Sequence, residues 1–225
     1  MFTFILQLIY PKQCCACQQT LLLPQEFICL DCQYALPRYD FRAEKSNYLL
    51  EKFNGELPIS SFFTYAWFSA GGRMQHIMHQ IKYKGNVKLA QKMGVLLGKA
   101  YADEWSNLGI NGIVPIPLHP KRFKARGYNQ AAEIAKGVSN YLNVPLLEHA
   151  LIRTKHGESL VSQNRQSRFE QLNNCFELGS ENVMGKRIVL LDDTLTTGAT
   201  CIAAGKELWK GGILDLSLAS LAVVR

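Results

Sequence analysis

Residues 188–200 read IVLLDDTLTTGAT, and this stretch decides the fold. The segment from Arg187 to Leu191 predicts a buried strand, because four successive apolar residues follow the arginine. The chain then turns polar, which predicts a loop from Asp192 to Gly198, and the residues from Ala199 to Trp209 predict a helix. A strand, a loop and a helix in this order form part of a βα unit, and open α/β sheets bind ligands where such strands end. The stretch therefore predicts a ligand site as well as a fold.

The polar loop carries the groups that a ribose 5-phosphate requires. Asp192 and Asp193 are adjacent carboxylates that can accept hydrogen bonds from vicinal hydroxyls. Backbone N–H groups and the helix dipole converge at the start of the helix, which suits a phosphate dianion. Gly198 is expected where a side chain would keep the backbone away from the ligand. The predicted site consists of Asp192, Asp193, Thr194, Thr196, Thr197, Gly198, Ala199 and Thr200.

The same loop has a plainer interpretation, in which its side chains only cap the helix. Capping accounts for one aspartate and one threonine. It does not account for four threonines, a glycine and a second carboxylate within nine residues. The pattern therefore favours ligand binding.

Strands and helices alternate in the chain before this unit. The predicted elements are a strand over Phe62–Phe68, helices over Arg73–Tyr83 and Val87–Trp105, a short strand at GIVPIPLH (112–119), a basic loop over Pro120–Gly127, a helix over Asn129–Leu142 and a last strand over Leu214–Val224. This alternation predicts an α/β domain with a parallel sheet and helices on both faces.

Five of the seven cysteines lie between Cys14 and Cys32. Cys14-x-x-Cys17 and Cys29-x-x-Cys32 are two knuckles separated by eleven residues, an arrangement in which four thiolates can close a tetrahedral zinc site. Free thiols are the alternative, but so short a segment cannot bury enough apolar surface to fold without a metal or a partner. Four cysteine ligands leave no open position for water, so the predicted zinc is structural.

The charge balance points to an anionic partner. The chain has 25 Lys and Arg against 18 Asp and Glu, a net charge of +7. Its densest basic run contains Lys121, Arg122, Lys124 and Arg126. These cations suit pyrophosphate oxygens or a DNA backbone, and a solvated charge run is the alternative. The interleaved rings of Phe123 and Tyr128 favour stacking with single-stranded bases.

Composition divides the chain into three parts. Residues 1–37 form the cysteine module, residues 38–58 a connector, and residues 59–225 the α/β domain. The opening MFTFILQLIY is apolar, but it lacks a basic region and stops at Pro11, about half the ~20 residues of a membrane span. We expect a short helix packed on its own domain, no transmembrane helix and a cytoplasmic protein.

With these residues in place, the 188–200 stretch resembles the 5-phosphoribosyl-1-pyrophosphate (PRPP) motif of type I phosphoribosyltransferases. Together with the cysteine module, Lys82–Gly85, Val114–Pro117 and Arg126–Gln130, the whole chain is similar to the ComF family of competence proteins. The resemblance implies a zinc module fused to a phosphoribosyltransferase-like domain, PRPP bound with magnesium, and a role in natural transformation. It also implies single-stranded DNA as a partner and names a competence helicase as a candidate protein partner.

The resemblance further assigns a group of residues to pyrophosphate or to nucleic acid: Lys82, Pro115, Ile116, Lys121, Arg122 and Arg126. The stretch Val114–Leu118 is similar to the turn that cradles pyrophosphate with backbone N–H groups in phosphoribosyltransferases. Gln163 and Arg168 match a family pattern whose continuation is altered here, so their role is left open. No residue is identified as catalytic. Two hypotheses stand: a DNA-uptake protein that binds PRPP and single strands, or an active phosphoribosyltransferase with an unknown acceptor.

Overall fold

The computed structural model describes residues 11–22, 24–39, 50, 53, 55–154 and 175–224. The apolar opening over residues 1–10, most of the connector and the segment with Gln163 and Arg168 lie outside the described residues. The elements in chain order are α1 Leu30–Ala35, β1 Ser61–Phe68, α2 Arg73–Tyr83, α3 Val87–Ala100, α4 Ala102–Asn107, β2 Gly112–Pro115, α5 Pro120–Arg126, α6 Gln130–Leu142, β3 Leu151–Arg153, β4 Phe176–Leu178, β5 Arg187–Leu195, α7 Ala199–Lys210 and β6 Asp215–Val224.

The main sheet has the strand order β1-β6-β5-β2, and every neighbouring pair is parallel. This confirms the predicted α/β class. The strand of the 188–200 stretch, β5, lies inside the sheet between β6 and β2. A separate antiparallel pair, β3 with β4, stands outside this sheet.

Two buried clusters cover the two faces of the sheet. Val189 and Leu191 point into a cluster that includes residues of α2, α3 and α6, whereas Ile188 and Leu190 point into one that includes residues of α7. Alternate residues of β5 therefore serve opposite cores, which explains why the whole strand is apolar.

Helices α3 and α6 pack closely because a glycine on each removes a side chain from the contact. A Cβ on Gly94 would lie 2.0 Å from the carbonyl oxygen of Ile134, and a Cβ on Gly137 would lie 2.0 Å from that of Gln91. This contact fixes α6, whose first turn lines the cavity described below.

Several predicted elements were wrong in extent or type, among them a helix and a loop. The helix predicted over Val87–Trp105 is divided at Tyr101, whose buried hydroxyl donates to the carbonyl of Thr64 in β1. The predicted basic loop over Pro120–Gly127 is the helix α5. His119 caps it by accepting from the N–H of Lys121, and Pro120 occupies the first turn, where a missing N–H costs nothing.

The cysteine segment packs directly on the α/β part. Cys14, Ala16 and Ile28 belong to the same buried cluster as Met74 and Ile77 of α2. The division of the chain at residues 37 and 58 stays a prediction. Within the described residues, no helix is both long and apolar enough to cross a bilayer.

Candidate functional site

The site is built around the end of β5, which continues further than the sequence indicates. Asp192 pairs with Ser220 of β6, and Thr194 with Ala222, so the strand runs to Leu195. The loop predicted from Asp192 is thus shortened to the residues between Leu195 and Ala199. Strand pairing fixes the backbone of both aspartates and so limits the directions in which their carboxylates can point.

A cavity of ≈ 240 Å³ opens at this end of the sheet. All eight residues of the predicted ribose 5-phosphate site line it, and so do four of the six residues assigned to pyrophosphate or nucleic acid. These are Lys82, Ile116, Arg122 and Arg126. Ligand pockets span about 300–1,000 Å³, so the cavity has the scale of a sugar phosphate rather than a dinucleotide.

The paired carboxylates have different environments. Lys82 Nζ lies 2.9 Å from Asp193 Oδ1 and donates to Thr194 Oγ1 at 3.1 Å. Burial, with the adjacent charge of Asp193, raises the pKa of Asp192 to about 7, although the N–H of Asp193 and the charges of Lys82 and Arg153 act in the opposite direction. The carboxyl group of Asp192 therefore gains its negative charge near neutral pH.

The loop between β5 and α7 presents threonine hydroxyls and the N-terminal end of α7. Thr196 and Thr197 are exposed, and the N–H of Ala199 lies 3.5 Å from Thr197 Oγ1. Gly198 has φ +82°, and a Cβ there would lie 2.8 Å from the ring of Phe53. The glycine is thus required by its left-handed backbone and by Phe53 beneath it, reasons that the sequence does not reveal.

The turn after β2 offers few backbone donors. Pro115 and Pro117 have no N–H, and the N–H of Ile116 already donates to the carbonyl of Leu191. Asn129 Nδ2 donates to the carbonyl of Ile116 and holds the turn against the start of α6. Pyrophosphate at this turn would therefore depend on the side chains of α5 more than on a backbone cradle.

The basic residues of α5 do not all face the cavity. Arg122 and Arg126 line it, whereas Lys121 and Lys124 are exposed on the same helix and are not part of the lining. Pro115 is a buried strand residue and is not part of the lining either.

Arg153, at the end of β3, lines the cavity and was missed by the sequence analysis. Its guanidinium lies 5.2 Å from the ring centre of Phe176, and its Nε is buried without a hydrogen-bond partner among the described residues. Burial lowers the pKa of Arg153, and the nearby charge of Arg122 lowers it further. No local motif marks this residue, because only the β3–β4 pairing brings it to the site.

The four predicted metal ligands come together. One thiol sulfur each from Cys14, Cys17, Cys29 and Cys32 lies within 4.8 Å of the others. Zinc–sulfur bonds of about 2.3 Å would place tetrahedral ligands about 3.8 Å apart, and the sulfurs of Cys17 and Cys29 are 3.8 Å apart.

Backbone N–H groups already point at this cluster. Ala16 and Cys29 both donate to the sulfur of Cys14 at 3.4 Å. Burial alone would raise the pKa of Cys14, but these two N–H groups, with the backbone N–H and the thiol of Cys17, lower it to about 7. Burial raises the pKa of Cys32, and the neighbouring thiols raise it further. The donor set and its spacing fit a structural metal ion such as zinc.

An aromatic surface adjoins the cavity. Tyr83 is 66% exposed, and the guanidinium of Arg126 lies 5.4 Å from its ring centre. Phe123, one turn before Arg126 on α5, is 51% exposed. Tyr128 is not part of this surface, because it is partly buried and its hydroxyl donates to the carbonyl of Ile81. We call Tyr83, Phe123 and Arg126 the Tyr83 surface.

No protein-family profile matches the chain. Its sequence is 35% identical over 112 residues to "Competence protein F" of Haemophilus influenzae, covering 49% of each chain. It is 27% identical over 139 residues to "DNA utilization protein YhgH" of Escherichia coli K12, covering 60% of this chain and 61% of that protein. It is 28% identical over 158 residues to "Competence protein ComFC" of Bacillus subtilis, covering 68% and 60%.

These matches span about half to three fifths of the relatives' own lengths. Among solved structures, the chain is similar to the glutamine PRPP amidotransferase of B. subtilis, at 15% identity and a TM-score of 0.46 over 64% of this chain and 30% of that one. It is also similar to a hypoxanthine phosphoribosyltransferase of Trypanosoma cruzi, at 15% identity and a TM-score of 0.40 over 60% and 67%. The sequence matches to Competence protein F, ComFC and YhgH confirm the resemblance to the ComF competence proteins.

Proposed function

We propose that the chain binds a 5-phosphoribosyl ligand, PRPP accompanied by magnesium, in the cavity at the end of β5, and that it acts in DNA uptake. The single observation that carries the ligand is the cavity lining. It combines the aspartate pair, the threonine-rich start of α7 and the cations Lys82, Arg122, Arg126 and Arg153. Four cations against two carboxylates leave a positive cavity, which suits a ligand with phosphate at both ends.

Each part of the lining has a role in this proposal. The carboxylates of Asp192 and Asp193 accept hydrogen bonds from the ribose hydroxyls. The N–H groups at the start of α7 and the hydroxyls of Thr196 and Thr197 donate to the 5-phosphate. Arg122, Arg126 and Arg153 meet the pyrophosphate with charge-assisted hydrogen bonds.

The test is the affinity for PRPP with magnesium, measured by calorimetry on variants that melt no lower than the unaltered chain. Asp192→Asn combined with Asp193→Asn should weaken binding by at least about tenfold, because hydrogen bonds to charged groups contribute about 1.5–3 kcal/mol each. Arg122→Ala should also weaken it, whereas the control Lys124→Ala, on the same helix but outside the lining, should not. Equal losses in Arg122→Ala and Lys124→Ala would contradict the assigned geometry.

The DNA-uptake role has its own structural support in the Tyr83 surface. Exposed rings beside cations are the usual platform for single strands, because every base can stack and the cations meet the phosphates. Arg126 belongs both to this surface and to the cavity lining. We propose that single-stranded DNA lies across the Tyr83 surface, next to the phosphoribosyl site.

Fluorescence anisotropy with a labelled oligonucleotide tests this. Tyr83→Ala should weaken binding by about fivefold or more, since base stacking contributes about 1–3 kcal/mol, and affinity should fall steeply with salt. Tyr141→Ala is the matched control, because Tyr141 is 45% exposed at the end of α6 and outside the Tyr83 surface. A chain that binds no single strands at low salt would refute the proposal.

Catalysis is the second candidate function, and one observation favours it. Asp192 has a pKa of about 7 beside the expected position of the ribose, and a group with this pKa can take or give a proton near neutral pH. Pyrophosphate release from PRPP that depends on an added acceptor, and that is lost in Asp192→Asn, would establish it. No release across purines, pyrimidines and amines would leave binding as the function.

A further inference from the structure

Helix α2 contacts both the cysteine segment and the cavity. His76 Nδ1 lies 2.8 Å from the carbonyl oxygen of Ala16, which stands between the ligand candidates Cys14 and Cys17. A carbonyl only accepts, so His76 carries the hydrogen on Nδ1 and donates it. Six residues further along the helix, Lys82 contacts Asp193 and Thr194. At 1.5 Å per residue, the two contacts are about 9 Å apart along the axis.

Ala16 is itself tied to the metal ligands. Its N–H donates to the sulfur of Cys14 at 3.4 Å, while its carbonyl accepts from His76. A metal ion that fixes the sulfur of Cys14 would therefore also fix the carbonyl to which α2 is attached.

The body of α2 is packed between the two sites. Met74, Ile77 and Ile81 are fully buried in the cluster that contains Cys14 and Ala16. At the other end, the carbonyl of Ile81 accepts from the hydroxyl of Tyr128, just before α6. A close-packed helix moves as a unit, so a shift at Ala16 is passed to Lys82.

We propose that His76 is a positioning residue: by fixing α2 to Ala16 it places the ammonium group of Lys82 on Asp193 and Thr194, so that the assembled metal cluster strengthens ligand binding in the cavity. The proposal rests on the proposed phosphoribosyl function. Because linkage is reciprocal, bound ligand also strengthens metal retention by the cysteines.

A double-mutant cycle on the zinc-loaded full chain tests the route. His76→Ala should weaken PRPP binding about three- to tenfold, the effect of one net hydrogen bond, and His76→Asn should restore it, because Asn keeps a donor near the Nδ1 position. Arg73→Ala, an exposed change on the same helix, is the control and should have no effect. In a Lys82→Ala background, His76→Ala should cause no further loss. A full loss in that background would show that His76 does not act through Lys82.

A second measurement needs no ligand. Hydrogen exchange of the Thr194–Thr197 amides should quicken in His76→Ala or after zinc is removed with a chelator, but not in Arg73→Ala. Unchanged exchange in both cases would overturn the proposal. If the unaltered chain binds no PRPP while this exchange responds, the proposed function fails and the α2 connection stands. Added PRPP should slow the release of zinc from the unaltered chain. It should leave the rate of zinc release from the His76→Ala variant unchanged.

Discussion

Asp192 combines a cost in stability with a use in binding. Burial and the neighbouring carboxylate raise its pKa to about 7, from a value of 3.8 in the absence of such effects. The folded chain therefore keeps a proton that the unfolded chain releases between these two pH values. Stability must then fall as the pH rises through this window, and the loss is complete above pH 7. A group kept at such a cost is typical of a functional site.

The fall in stability with rising pH gives a prediction for Asp192→Asn. The variant removes the penalty for ionisation, so it should melt at a higher temperature than the unaltered chain at pH 8. The difference should shrink as the pH falls from 7 towards 4. Thermal melts across this range measure it, with Glu177→Gln, an exposed change on β4, as the control. A difference that does not change with pH would show that Asp192 is already ionised in the folded chain at low pH.

Some residues of the site could be predicted from the sequence, and others could not. The aspartates and threonines of the cavity could be identified because they are consecutive in the chain and follow one strand. Arg153 could not, since it reaches the cavity only through the pairing of β3 with β4. The sequence also could not show that Tyr83, and not Tyr128, is the exposed ring. Tyr128 is held by a hydrogen bond to the carbonyl of Ile81, which is distant from it in the chain.

Among the elements, strong apolar patterns were predicted well and polar ones were not. The strand β1, the helices α2 and α6 and the strand β6 lie within a residue of their expected limits. The end of β5 is polar and looked like a loop, but pairing with β6 keeps it extended. The basic α5 lacks an apolar face, and it buries no residue, so only its caps at His119 and Gly127 could have indicated a helix.

The cysteine segment yields a prediction of its own. Metal analysis of the purified chain should return one zinc ion per chain, because four thiolates in this arrangement close a tetrahedral site. Cys17→Ser should lose the zinc. Cys15→Ser is the matched control, since Cys15 lies in the same knuckle but outside the cluster, and it should retain the metal. Equal zinc contents in the two variants would contradict the assigned ligand set.

At the scale of the whole molecule, part of the net charge of +7 lies at the cavity. Four cations surround the cavity, and Arg126 extends them to the Tyr83 surface. Both core clusters contain residues of β5, the strand that carries the aspartates, so the site stands on a strand that is packed on both faces. The cysteine segment joins one of these clusters and is not an independent appendage in its packing.

We propose above that the cavity at the end of β5 takes a phosphoribosyl ligand. Calorimetry of the zinc-loaded chain with magnesium tests it most directly, with PRPP titrated first and a single-stranded oligonucleotide second. We predict saturable binding of one PRPP per chain, with ribose 5-phosphate binding more weakly because it lacks the pyrophosphate. A chain that keeps its fold and its zinc but shows no heat with PRPP at any pH between 6 and 8 would contradict the account.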